Sequence, residues 1–302
     1  MDKLITILGP TATGKTTFAA HLAKLIDAEI ISADSRQVYR GMDLGTGKDI
    51  EDYTIDGYTV PYHLVDIKDP GYEYNVYEYQ KDFLKAYQDI ITRGKIAIQC
   101  GGTGMYLSSV VQAYDLKEVP VDQELRKELE GMTDKQLISI LKSLDVPHNT
   151  TDLDNRKRLL RAVEIAMLSP RIKSTPFPKM DHVVFGIKLE REVVRERVTR
   201  RLTRRLKEGM TAEVESLLKS GVSAEQLMFY GLEYKYLTQY VIGEIEKNDM
   251  FQKLNSAIHQ FSKRQMTWFR RMEKQGVTIN WIDGMLPMEG KLQESLKILA
   301  SH

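Results

Sequence analysis

The segment at residues 9–16 has the residue types and the spacing of a phosphate-binding loop. It reads GPTATGKT and lies between an apolar run at residues 4–8 and a helical pattern at residues 18–25. In such a loop, backbone N–H groups surround an anion, the lysine supplies a cation and the last hydroxyl binds Mg²⁺. The pattern does not distinguish a nucleotide from another diphosphate. The predicted diphosphate-binding residues are Gly9, Pro10, Thr11, Ala12, Thr13, Gly14, Lys15 and Thr16, with Thr16 as the metal ligand.

A carboxylate, Asp34, follows the next apolar run at residues 28–33. The carboxyl ends of parallel strands meet at one edge of the sheet, so Asp34 is expected beside the phosphate-binding loop. There it is suited to act as a base or as an indirect Mg²⁺ ligand. The alternative is a turn or helix-cap aspartate, because Asp-Ser pairs are common at such positions.

Two further strand ends carry polar groups. The run at residues 95–100 ends in GGTGMY, where glycines allow close backbone approach to a ligand and Thr103 adds a hydroxyl. The run at residues 63–67 resembles a strand that contains Asp66, and an aspartate after an apolar run is how P-loop enzymes hold Mg²⁺ through water. A turn aspartate explains Asp66 equally well. The GTGK at residues 45–48 is weak support for a second flexible segment with a cation.

Two predicted helices are strongly basic. In residues 190–207 an apolar residue recurs every fourth position, which leaves arginines on the neighbouring faces for contact with a polyanion: Arg197, Arg201, Arg204 and Arg205. In residues 251–274 cations alternate with Trp268 and Phe269, a pattern that fits RNA because bases stack on aromatic rings. Core packing of the two aromatic residues is the alternative.

Composition excludes several classes of protein. Lysine and arginine total 43 against 42 acidic residues, so the net charge of +1 gives no overall attraction to nucleic acid and any basic surface must be local. Cys100 is the only cysteine, which excludes an internal disulfide framework. No apolar stretch approaches the length of a membrane span. We expect a soluble, cytoplasmic protein without membrane contact, and a monomer.

The pattern of elements predicts an α/β fold in which a P-loop-containing parallel sheet is flanked by helices and interrupted by an all-helical insertion domain. Charged helical segments begin near Pro120 and end in a basic, proline-punctuated stretch at residues 169–179. We therefore divide the chain into a first core part at residues 1–116, a helical insert at residues 117–180 and a second core part at residues 181–302, which contains the long basic helices.

Six segments in this order resemble the tRNA dimethylallyltransferase family, also called tRNA isopentenyltransferases: GPTATGKT, DSRQVYRGMDLGTGK, YHLVD, GGTGMY, NRKRLLRAVE and KRQMTWFR. The resemblance covers nearly the whole chain. It implies transfer of a dimethylallyl group from dimethylallyl diphosphate to the exocyclic amine of the adenosine 3′ of the anticodon, with Mg²⁺ as cofactor.

The resemblance also implies roles for individual residues. Asp34 would be the general base, and the catalytic set would be completed by Lys15, Thr16 and Thr103. The helical insert would bind the anticodon stem-loop of tRNA. The implied tRNA contacts are Asp34, Ser35, Arg36, Gln37, Thr103, Arg126, Lys157, Arg158, Leu159, Leu160 and Arg161.

One segment departs from the family pattern. Residues 228–235 read MFYGLEYK, whereas the family usually has an IGYK-like or VGYR-like segment there. Three alternatives to the implied function are a P-loop NTP-dependent small-molecule kinase, an adenylate isopentenyltransferase that accepts a free nucleotide, and a noncatalytic RNA-binding module. The GGTGMY segment and the basic helical insert argue against the adenylate enzyme.

Overall fold

A computed structural model describes residues 3–144, 155–172 and 175–301 of the chain. Its contacts divide the described residues into two compact units. One contains the residues up to Ala113 and those from Pro178 onward, and the other is Tyr114–Phe177.

The first unit is built on one parallel sheet. Among the described residues six strands form it, in the spatial order β5-β2-β6-β1-β7-β8. The central strands are completely or almost completely buried, which explains their continuous apolar sequences, because helices cover both faces of a parallel sheet. The strands are β1 (Leu4–Leu8), β2 (Ala28–Ser32), β5 (Tyr62–His63), β6 (Ile96–Gly101), β7 (His182–Lys188) and β8 (Ile279–Asp283), while β3 (Thr54–Ile55) and β4 (Tyr58–Thr59) form a separate antiparallel hairpin.

Helices connect these strands and extend beyond them. Helix α2 begins where the Asn75 side chain and Glu78 form a capping box, and Tyr79, Phe83 and Tyr87 of this helix pack in the core. The helices of this unit are α1 (Lys15–Ile26), α2 (Val76–Thr92), α3 (Gly104–Val111), α7 (Arg191–Lys207), α8 (Met210–Lys219), α9 (Ala224–Phe229), α10 (Leu232–Val241), α11 (Lys247–Lys274) and α12 (Met288–Ala300).

The second unit is helical in its described residues and has its own apolar core. Its helices are α4 (Gln123–Glu130), α5 (Asp134–Ser143) and α6 (Arg156–Leu168). Leu129, Leu137, Leu141, Leu159 and Val163 form the centre of that core. Asp122 and Thr133 cap α4 and α5 through their side chains, so both helices begin at a residue whose side chain satisfies a backbone N–H group.

The prediction of a strand at residues 63–67 is wrong beyond His63. Strand pairing with β2 ends at His63, and Leu64 and Asp66 adopt left-handed backbone conformations with φ of 61° and 55°. The chain pairs with a different partner instead, because the N–H groups of Asp66 and Ile67 donate to the carbonyls of Gln37 and Val38. The segment after His63 therefore supports the loop that follows β2.

Candidate active site

The loops after β1, β2 and β6 lie together because their strands end at one level. Leu8, the last residue of β1, is paired with Gly101 of β6 and with Gly186 of β7. Ser32, the last residue of β2, is paired with Cys100. The phosphate-binding loop, the Asp34 segment (residues 34–37) and the Thr103 segment (residues 101–106) thus lie at one edge of the sheet, as expected from their positions after parallel strands.

The phosphate-binding loop leads directly into α1. Gly14 is the N-cap residue with a φ of 80°, and no side chain caps the helix. Thr13 is buried, and its hydroxyl donates to the carbonyl of Pro10 at 2.9 Å, which closes the loop internally. Lys15 and Thr16 form the first turn of α1 and are both half-buried. The N–H groups of this first turn have no side-chain acceptor as a cap and suit an anion.

The side chains of Asp34 and Thr103 bind neighbouring backbone N–H groups of the Asp34 segment. The Oδ1 atom of Asp34 accepts from the backbone N–H of Arg36 at 2.9 Å. The Thr103 hydroxyl oxygen accepts from the backbone N–H of Ser35 at 3.0 Å. Thr103 is also the N-cap residue of α3 but does not cap that helix with its side chain. Its hydroxyl instead holds the backbone next to Asp34.

Close backbone packing requires a glycine at the end of β6. A Cβ atom on Gly101 would lie 2.2 Å from the carbonyl oxygen of Ala33. The two segments are also joined by hydrogen bonds from Ala33 N to the Cys100 carbonyl at 2.7 Å and from Thr103 N to the Ala33 carbonyl at 3.2 Å. The first glycine of GGTGMY thus brings the Asp34 and Thr103 segments together.

Gln37 completes the Asp34 segment. Its side-chain amide donates to the carbonyl of Gly47 at 3.1 Å, and its Oε1 atom accepts from the Ser32 hydroxyl at 3.3 Å. Of the predicted tRNA contacts Asp34–Gln37, all four side chains are half-buried rather than fully exposed.

One side chain that the sequence did not single out, Gln265 of α11, bridges two of the loops. Its Oε1 atom accepts from the backbone N–H of Thr11 at 2.9 Å, and its Nε2 atom donates to the carbonyl of Gly102 at 2.8 Å. Gln265 is only 6% exposed. No local pattern indicates this role, since Thr11 and Gln265 are 254 residues apart. The KRQMTWFR segment provided the only signal.

Of the four arginines predicted on α7, Arg201 reaches the phosphate-binding loop. Its guanidinium donates to the hydroxyl of Thr11. Arg205 is buried and pairs with Asp49 at 2.6 Å, so it serves the interior of the unit. Arg204 is exposed and pairs with Glu208 at 3.4 Å. Arg197 is half-buried.

Electrostatic interactions join the charged groups of this edge. Burial lowers the pKa of the Lys15 amine, the neighbouring Cys100 and Asp34 oppose this shift, and the Arg201 charge adds to it. Burial likewise lowers the pKa of Arg201, with a further contribution from Arg205. Burial raises the pKa of Glu233, which Arg201 and Arg205 oppose. A bound polyanion would relieve the mutual repulsion of these cations.

The cation of the GTGK segment has a structural role. Lys48 is buried, and its ammonium group donates to Asp43 at 2.7 Å, to Asp66 and to the carbonyl of Tyr39 at 2.7 Å. Asp66 is thereby engaged in an internal ion pair. The interpretation of Asp66 as a Mg²⁺ ligand, on which the kinase alternative depends, finds no support in this geometry.

Trp268 and Phe269 of α11 make contacts inside the unit. Phe269 is completely buried, and the indole N–H of Trp268 donates to the Ser108 hydroxyl at 2.8 Å. The expectation that RNA bases stack on Phe269 is therefore wrong, because the ring has no exposed face. Core packing, the alternative interpretation, holds for this residue.

In the helical unit the predicted tRNA contacts divide into two groups. Leu159 is fully buried, so its side chain is not placed to bind RNA, whereas Leu160 is half-buried against the same core. Lys157 and Arg158 are exposed at the start of α6. Arg126 and Arg161 pair with the buried Glu164 at 2.8 and 2.7 Å. Burial would raise the pKa of Glu164, but hydrogen bonds from Arg161 and Arg126 outweigh it and lower that pKa.

The donor groups suit a metal that arrives with a phosphate ligand. No group of three or more histidine, cysteine or acidic side chains in the described parts of the chain is arranged to hold a metal ion. Mg²⁺ commonly keeps several waters and binds through substrate phosphates with few protein ligands. Thr16, in the first turn of α1, fits that mode.

None of the helices that the structure describes is long and apolar enough to cross a membrane.

Comparison with solved structures supports the fold. The chain superimposes on the full-length tRNA isopentenylpyrophosphate transferase of Bacillus halodurans with a TM-score of 0.73 and 31% identity, covering 100% of this chain and 96% of that one. A eukaryotic dimethylallyltransferase acting on tRNA gives a TM-score of 0.80 at 20% identity, covering 99% of this chain and 80% of that chain. The second likeness is one of fold.

Sequence comparison gives the relationship. The chain is 55% identical to tRNA dimethylallyltransferase 2 of Bacteroides fragilis over 291 residues, which is 96% of this chain and 95% of the relative. It is 50% identical to tRNA dimethylallyltransferase 1 of Geotalea uraniireducens, covering 98% of both. Residues 2–57 match the family model described as isopentenyl transferase. Residues 37–272 match the model described as IPP transferase, and with this similarity along nearly its whole length the chain belongs to the IPP transferase family, the family of the tRNA dimethylallyltransferases.

Proposed function

We propose that this protein transfers a dimethylallyl group from dimethylallyl diphosphate to the exocyclic amine of the adenosine 3′ of the anticodon in tRNA. The observation that carries the proposal is the convergence of the phosphate-binding loop with the Asp34 and Thr103 segments, which Gln265 ties together through Thr11 and Gly102. One edge of the sheet thus offers an anion site for the diphosphate donor and a carboxylate for the acceptor base.

The anion site would stabilise the leaving group. When the allylic C–O bond breaks, negative charge develops on the diphosphate, and the N–H groups of the loop with Lys15 and Arg201 would bind it. Mg²⁺, held by Thr16 and the diphosphate, would supply further charge neutralisation. The Asp34 charge raises the pKa of the Lys15 amine against the effect of burial, so the two halves of the site interact electrostatically.

The carboxylate would accept the proton from the acceptor amine. As the amine nitrogen forms its bond to the allylic carbon, one N–H proton would pass to Asp34. Oδ1 of Asp34 already accepts from Arg36 N, so the carboxylate is held in one orientation. The target base would be extruded from its stack to reach Asp34, because an exocyclic amine inside a stacked loop is not accessible.

The helical unit would supply a tRNA-binding surface. Lys157 and Arg158 are exposed, and Arg126 and Arg161 keep part of their side-chain surface accessible while they pair with Glu164. Arginine and lysine bind the RNA backbone through its phosphates. A monomeric, cytoplasmic enzyme is part of the same proposal.

The test is incubation of the protein with unmodified tRNA, Mg²⁺ and dimethylallyl diphosphate labelled in the allyl group. We expect label in tRNA and none in a matched tRNA whose target adenosine is replaced by guanosine. Parallel reactions offer ATP alone and AMP as acceptor. Turnover of ATP without labelled tRNA would favour the kinase, efficient labelling of AMP would favour the adenylate enzyme, and tRNA binding without any transfer would favour an RNA-binding module.

A further inference from the structure

An exposed phenylalanine lies beside the Asp34 segment. Phe229, the last residue of α9, is 49% exposed, and the guanidinium carbon of Arg36 lies 5.9 Å from its ring centroid. Arg36 is the residue whose backbone N–H binds Asp34. The ring and the guanidinium therefore form a pair of planar groups at the border of the proposed acceptor site, in the segment where this chain departs from the family pattern.

The position of Phe229 is set by its buried neighbour. Tyr230 is 2% exposed and packs on Tyr39 with ring centroids 4.5 Å apart. Its hydroxyl accepts from Gly71 N at 2.5 Å and donates to the carbonyl of Tyr72 at 3.1 Å. Tyr39 belongs to the segment that follows Asp34. Tyr230 thus anchors the end of α9 beneath that segment and leaves the adjacent Phe229 ring at the surface.

The next residue, Gly231, lies beside the Arg36 side chain. Gly231 has a φ of 126°, which a residue with a Cβ atom rarely adopts. A Cβ atom there would lie 3.5 Å from Nε of Arg36 and 4.0 Å from Oε2 of Glu233. The backbone turns sharply at this glycine, which places the start of α10 beside the Arg36 side chain.

These observations favour a nucleobase as the occupant. Extruding the target adenosine breaks stacking on both of its neighbours, which costs a few kcal/mol. Single-stranded bases stack on aromatic rings and on arginine planes, and such contacts recover that loss. The half-exposed Phe229 ring is paired with the guanidinium of Arg36, which is two residues from Asp34 in the chain. This pair offers a stacking surface to the base next to the reacting one.

We propose that Phe229, with Arg36, forms a stacking subsite for an unpaired base that flanks the target adenosine in the RNA. The subsite rests on the proposed function only for the identity of the RNA. Phe229 takes no part in the chemistry; it positions the loop so that the extruded base enters beside Asp34. Its removal affects the RNA substrate and leaves the diphosphate donor unaffected.

The experiment compares wild type with Phe229→Ala and Phe229→Trp on an anticodon stem-loop RNA. We expect Phe229→Ala to weaken RNA binding, measured by fluorescence anisotropy, and to lower kcat/KM for the RNA by about fivefold or more. KM for dimethylallyl diphosphate and the thermal unfolding midpoint stay at wild-type values. Phe229→Trp, which keeps a stacking surface, restores binding. The control is Tyr58→Ala, which removes an equally exposed aromatic ring (49%) from the β3–β4 hairpin.

Abasic RNA identifies the contacted base. An abasic nucleotide is placed either 5′ or 3′ of the target adenosine. At one of the two positions it should weaken wild-type binding by the same factor as Phe229→Ala, and combining the two changes should cause no further loss. The subsite would be overturned if, at both positions, the losses of affinity from the abasic nucleotide and from Phe229→Ala multiply when the two changes are combined. It would also be overturned if Phe229→Ala bound the RNA as tightly as the wild type does. Absence of transfer by the wild type overturns the proposed function instead, and the binding comparison still decides the subsite.

Discussion

At the residue scale, Asp34 shows how a short polar side chain can be fixed at the end of a buried strand. Its Oδ1 atom accepts from Arg36 N, while the neighbouring Ser35 N–H is bound by Thr103. The turn interpretation and the functional interpretation of Asp34 are therefore compatible, because the turn orients the carboxylate. The sequence could predict this position from strand and loop patterns, but it could not predict the hydrogen bonds that orient the group.

Asp34→Asn separates the two roles. The amide oxygen of asparagine can still accept from Arg36 N, so we expect unchanged tRNA binding and an unchanged unfolding midpoint. Without a base, single-turnover transfer should fall by about 10²- to 10⁴-fold. Asp27→Asn is the matched control, since Asp27 is an exposed aspartate that pairs with Lys95 just before β6. A transfer rate within a few-fold of wild type would exclude Asp34 as the general base.

At the scale of elements, the sequence predicts strands and helices where the pattern is local. The run at residues 4–8 and the helix that follows it are found as β1 and α1. The strand expected at residues 63–67 fails because its apolar composition carries no information about its partner, and the backbone after His63 pairs with Gln37 and Val38. The contacts of Gln265 and Arg201 with Thr11 were equally beyond prediction, since they join segments far apart in the chain.

Gln265→Leu tests whether α11 holds the phosphate-binding loop and the Thr103 segment together. Leucine keeps much of the volume but loses both hydrogen bonds, leaving Thr11 N and the Gly102 carbonyl without this partner. We expect KM to rise for both dimethylallyl diphosphate and tRNA, and a loss of stability of about 1–3 kcal/mol. Steady-state kinetics and denaturant unfolding measure these effects. Gln252→Leu, at an exposed position of the same helix, should change neither KM; an effect on one substrate alone would argue against the bridge.

At the scale of the whole molecule, charge is distributed locally while the total nearly cancels. The net charge is +1, yet Lys157 and Arg158 lie together at the start of α6, and Arg126 and Arg161 converge on Glu164 within the same helical unit. Two apolar cores, one under the sheet and one among α4–α6, indicate that the units have separate sources of stability.

Glu164→Gln should destabilise the helical unit selectively. The carboxylate is 1% exposed and binds two arginines, so its loss should cost about 2 kcal/mol at pH 7. Because the folded-state pKa is lowered, this stabilisation is present above the ordinary glutamate pKa of about 4.3 and disappears as the pH falls through the folded value. Hydrogen exchange at pH 7 should locate the loss in α4–α6, and calorimetry should show the wild-type and variant curves converging in acid. Glu128→Gln, an exposed glutamate of α4, is the control; equal protection of α4–α6 in both variants would contradict the assignment.

The common level at which β1, β2 and β6 end restricts how this chain can change in length. Each residue added to a strand moves the following loop by about 3.3 Å. Reactant alignment tolerates far less, since a displacement of about 1 Å can cost a hundredfold in rate. Insertions within β1, β2 or β6 would therefore separate the diphosphate from its acceptor even if the sheet still folded. Among relatives of this enzyme, length variation should be confined to segments whose ends do not meet at Leu8, Ser32 and Gly101.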